Sequence, residues 1–166
     1  MSLQNLINSL ESLNELNEKL LQLSEHKKQA ILNNDFDELT RTTMGESGLL
    51  KAIKNQEAVR QEMAHAFMRE KGIKSHLDLT ISEISRLVFE PEEKARLLNA
   101  QKMLVSTLRE LKRANDLNQN LVSQSLSFID FSLNLLVGEE ESTYTRPDQS
   151  PTVRTPKRNG IFDARA

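Results

Sequence analysis

Three histidines, His26, His65 and His76, carry the side chains best suited to proton transfer or metal ligation near neutral pH. They are far apart in sequence, and none stands in the His-Glu-x-x-His spacing that places two ligands on one helical face. A solvated or structural role is the reading for each. Serines are abundant, but no Gly-x-Ser-x-Gly elbow is present. The nearest thing to a glycine loop is "GESG" at 45–48, which is followed by Leu49 rather than Lys and Ser/Thr, so it makes no phosphate cradle. Acidic pairs recur along the chain, as expected of solvated helix faces, and no pair stands out as an acid and a base. The absence of cysteine excludes disulfides, thiol nucleophiles and Cys-based zinc sites, and fits a reducing compartment. The expectation is a protein that is not an enzyme and needs no cofactor or metal.

If chemistry is not the work, the elements themselves carry the information. The 166 residues suffice for one domain; five glycines, four prolines and 4% aromatics describe long Leu-seamed helices rather than a thick globule. A net charge of −2 gives no basic field for nucleic acid or an anionic membrane. No apolar run approaches the roughly 20 residues of a membrane span, so stable membrane insertion is not expected. The N-terminus lacks the basic and apolar regions of a signal peptide, which predicts a cytoplasmic protein.

Leu3, Leu6, Leu10, Leu13, Leu16, Leu20 and Leu23 step by threes and fours and predict a helix from about Ser2 to Leu32. Asp35, with Glu38 in capping-box spacing, predicts the start of a second helix. Its apolar stripe is Leu39, Leu49, Leu50, Ile53, Val59, Met63 and Phe67, and Gly72 closes it. Gly45 and Gly48 lie within it, each costing about 1 kcal/mol relative to Ala; a kink, fraying or a break is expected there, with a continuous, locally frayed helix the favoured reading. Thr80 and Glu83 cap a short helix, and Pro91 opens a last one that runs to Val137. That helix would be about 70 Å long at ~1.5 Å per residue. The expected fold is therefore all-α: an elongated antiparallel bundle or coiled coil of three long helices and one short one over 1–138. A disordered polar, Pro-containing tail is expected over 139–166.

The end of the last helix, "LVSQSLSFIDFSLNLLVG", is apolar on too many sides for a helix with one buried face. With Leu121 at zero and ~100° per residue, Val122, Leu126, Ile129, Leu133, Leu136 and Val137 fall between about 60° and 160°, wide enough to serve as the core face. Leu121, Phe128, Phe131 and Leu135 form a second stripe, between about 280° and 360°. Three readings are open: both stripes are core, the second stripe makes a homodimer, or it docks another protein. Asn115, Asn118 and Asn120 interrupt the seam just upstream, either fixing register or leaving it loosely held.

"NDLNQNLVSQSLSFIDFSLNLLVG" resembles the long C-terminal helix of the FlgN family of flagellar export chaperones. "NDFDEL" is similar to the turn joining that family's first two helices, and "GIFDARA" to the C-terminus of its Gram-positive members. The resemblance implies a cytoplasmic chaperone of type III flagellar export. Such a protein binds the hook-associated proteins of the hook–filament junction, keeps them unassembled and delivers them to the export apparatus. Carried onto this sequence, it implies partner binding by Leu121, Leu126, Phe128, Ile129, Phe131, Leu135 and Leu136. "YTRPDQ" departs from the family's pattern after this helix, so Tyr144 is assigned no role. The alternative is a coiled-coil scaffold or homodimeric interaction protein with no export client.

Overall fold

The computed structural model describes residues 2–73 and 79–137. His76 and the expected tail over 139–166 lie outside the described residues. The chain divides into two compact units, residues 1–127 and a second that begins at Phe128, of which residues 128–137 are described.

Every regular element among the described residues is helical. The elements are α1 (Ser2–Leu32), α2 (Phe36–Glu70), α3 (Ile81–Ile84) with a 3₁₀ turn at Ser85–Leu87, and α4 (Pro91–Val137). Local chemistry sets the boundaries. At the end of α1, Asn34 adopts φ +54°, a left-handed conformation its short polar side chain tolerates. The Asp35 N–H donates to Ala30 O and the Asn34 N–H to Ile31 O, closing the last carbonyls of α1. Asp35 then turns its carboxylate to the Glu38 N–H at 3.0 Å and caps α2. Gly72, at φ +76°, ends α2 with the same pair of bonds, from Gly72 to Arg69 and from Ile73 to Met68. The Thr80–Glu83 capping box is reciprocal, with the Glu83 carboxylate 2.8 Å from both the Thr80 N–H and its hydroxyl. α2 runs unbroken through Gly45 and Gly48.

Within the first unit, Ser2 donates to the Glu70 carboxylate, Lys27 pairs with Glu46 at 2.8 Å, and Gly45 lies under Leu23. Positions that rise along α1 therefore fall along α2, and the two form a hairpin. Between α1 and α4 the order is the other way. Thr107 donates to Asn14 at 2.7 Å, and Asn118 donates to the Ser24 carbonyl at 2.8 Å, so positions rise together. The expectation of long antiparallel helices does not describe α1 and α4, which run parallel.

The apolar core gathers at one end of this unit. Leu3, Leu6, Ile7 and Leu10 of α1 meet Ala64 and Phe67 of α2, Ile81 and Ile84 of α3, Val88, and Leu97 and Ala100 of α4. Each large apolar side chain buried there contributes about 1.5–3 kcal/mol. The other end is thinner. The expected α2 stripe is buried only at Phe67. Leu39, Leu49, Ile53 and Met63 are half-buried, and Leu50 and Val59 are exposed.

Candidate functional site

α4 carries the candidate surface, and its own seam shows why. The α4 residues buried in the first unit are Leu97, Ala100, Thr107, Leu111 and Asn118, spaced for one helical face. At ~100° per residue that face continues through Val122, Leu126, Ile129, Leu133 and Leu136. The continuation is not buried. Leu126, Ile129, Leu133, Leu136 and Val137 are all exposed, and Val122 stands at the border of exposure. This corrects the expectation that the first stripe is core. An apolar arc records what a helix is able to bury, and among the described residues no neighbour supplies the matching surface.

The second stripe is open too. Phe128, Phe131 and Leu135 are exposed, and Leu121 is half-buried. Of the seven residues expected to bind a partner, all but Leu121 are exposed, from 44% for Ile129 to 84% for Leu136. Leu121 and Leu126 belong to the first unit, and Phe128, Ile129, Phe131, Leu135 and Leu136 to the second. Asp130 is the only charged residue between 121 and 137. Ser127 returns its hydroxyl to the Ser123 carbonyl at 3.0 Å. Such a surface binds by burying apolar area, with little charge to discriminate.

Among the described residues, no group of His, Cys, Asp or Glu could hold a metal ion, and no helix is long and apolar enough to cross a membrane. His26 is exposed and His65 half-buried. The expectation of an Asn-interrupted seam meets a defined geometry: Asn118 is buried against Ser24, Asn115 accepts from the Ser24 hydroxyl at 3.4 Å, and Asn120 is exposed.

The FlgN protein family matches residues 1–152. The chain belongs to the FlgN family. The match takes in the whole of α4. Over 167 aligned residues the chain is also 28% identical to the uncharacterized protein YvyG of Bacillus subtilis (strain 168), covering both chains in full. No solved structure matches.

Periodicity missed two aromatic side chains. Phe89 is 86% exposed in the link between α3 and α4, with Lys71 Nζ 5.9 Å from its ring centre. Phe36, the first residue of α2, is 71% exposed. Neither sits in a helical repeat; the only available signal was an aromatic beside a capping or Pro-led turn.

Proposed function

We propose that this FlgN-family protein is a cytoplasmic chaperone of flagellar type III export, with the end of α4 as its client-binding element. The clients are the hook-associated proteins of the hook–filament junction. The chaperone covers their C-terminal helical segments, keeps them unassembled and passes them to the export apparatus. The observation that carries the reading is the open apolar end of α4, where Leu126, Phe128, Ile129, Phe131, Leu135 and Leu136 are exposed in a family of export proteins. A free-standing stripe of this kind has a reason to exist if a partner helix covers it. Burial of four or more such side chains at ~1.5–3 kcal/mol each supports micromolar or tighter binding after association costs.

In this reading α1, α2 and the first part of α4 form one bundle in which α2 runs against the other two, residues 1–138 make up the chaperone domain, and residues 139–166 are a polar tail outside it. Binding requires no cofactor and no catalysis. Size-exclusion chromatography with light scattering tests the reading, run with and without the C-terminal helices of a hook-associated protein. A discrete complex of defined stoichiometry is expected. A chain that self-associates and ignores the segment supports the homodimeric scaffold instead.

A further inference from the structure

The far part of the α1–α4 seam contains a buried acceptor with no protein partner. Asn118 is 4% exposed, and its Nδ2 donates to the Ser24 carbonyl at 2.8 Å and to the Ser24 hydroxyl at 3.1 Å. Its orientation is fixed chemically, because a carbonyl only accepts and must face the amide nitrogen. The Asn118 Oδ1 is thereby left buried and unpaired. A buried acceptor without a partner disfavours the closed packing, since any opening returns it to water. The surroundings do little to hold the packing shut. Beyond Leu111, Asn118 is the only residue of α4 that is buried among the described residues. A cleft of about 410 Å³ lies alongside, lined by Leu20, Leu50, Asn115, Asn118 and Val122, with the Lys27–Glu46 pair at its edge. The opposite end of the same seam is apolar and full, with Leu97 completely buried.

We propose that Asn118 makes residues 112–127 of α4 a gate, a stretch that parts from α1 while the stretch around Leu97 stays seated. Opening bares Leu20 of α1, which is otherwise buried. The proposal deepens the client-binding reading and rests on it for its purpose, because a parted α4 offers a partner more apolar surface. The motion itself needs no client.

Hydrogen exchange of the full chain, without any partner, tests the gate. In Asn118→Leu the orphan acceptor is gone and the neighbouring cleft has room for the side chain. Amides of residues 112–127 are expected to exchange at least about tenfold more slowly, with residues 94–108 unchanged. Ser24→Ala removes one acceptor for Asn118 and the donor to Asn115, and is expected to speed exchange in the same stretch alone. Exchange in 112–127 that ignores both variants, as simple fraying of a helix end would, overturns the proposal. So does an equal shift across both stretches. Because no client is present, these outcomes stand apart from success or failure of the client-binding experiment.

Discussion

At the scale of single residues, two glycines in one helix have different surroundings. A Cβ on Gly48 meets nothing within 4 Å, whereas a Cβ on Gly45 lies 2.9 Å from Leu23 Cδ2. Both sit in continuous helix, where Gly costs about 0.5–1 kcal/mol relative to Ala. Gly48→Ala is expected to recover most of that amount in thermal melts. Gly45→Ala should fall short of it, because Leu23 must move aside. Equal gains at both sites would show that Leu23 repacks without cost. Glu83 makes a pH-dependent contribution. The Thr80 N–H and hydroxyl hold its carboxyl below the ordinary carboxylate value. A carboxylate whose pKa is lowered by folding stabilises the fold above its unfolded pKa, and that stabilisation is lost as pH falls through the folded one. Wild type should therefore exceed Glu83→Gln in stability at neutral pH, and the gap should close in acid. A gap that stays constant down to pH ~3 would mean that the capping carboxylate's charge contributes nothing.

At the scale of elements, the boundaries were legible in the sequence because they are local. Asp35, Gly72, Thr80, Glu83 and Pro91 each act on backbone within a few residues, so the helix limits needed no tertiary knowledge. Burial was less legible because it depends on what lies opposite. Leu50 and Val59 repeat like core residues and are exposed, while Asn14, Asn17 and Ser24 stand outside the Leu repeat of α1 and are buried, as is Asn118, whose place in the seam left both roles open. Polar residues take those seam positions by bonding across it, as Thr107 does to Asn14 and Asn118 to Ser24. The apolar surplus at the end of α4 was legible, but which stripe stays open was not. A direct consequence is measurable by denaturant unfolding. Leu97→Ala, in a fully buried position, should cost about 2–5 kcal/mol. Leu126→Ala combined with Ile129→Ala should cost about 1 kcal/mol or less, as exposed side chains do. A loss of several kcal/mol from that pair would place the first stripe back in the core.

At the scale of the whole molecule, the chain separates what holds it together from what it offers. The core around Leu6, Phe67, Ile84 and Leu97 uses one end of the helices, and past Asn118 no α4 residue is buried among the described residues. This division makes stability and the proposed binding separable by mutation. The most direct test is calorimetric titration of the C-terminal helical segment of a hook-associated protein into wild type and into Phe128→Ala with Phe131→Ala. Both phenylalanines are exposed, so the melting temperature should stay nearly unchanged. Truncating two aromatic anchors commonly costs 2 kcal/mol or more each, so affinity should fall by roughly a hundredfold or more. A double variant that melts like wild type and still binds the segment with wild-type affinity would contradict the account.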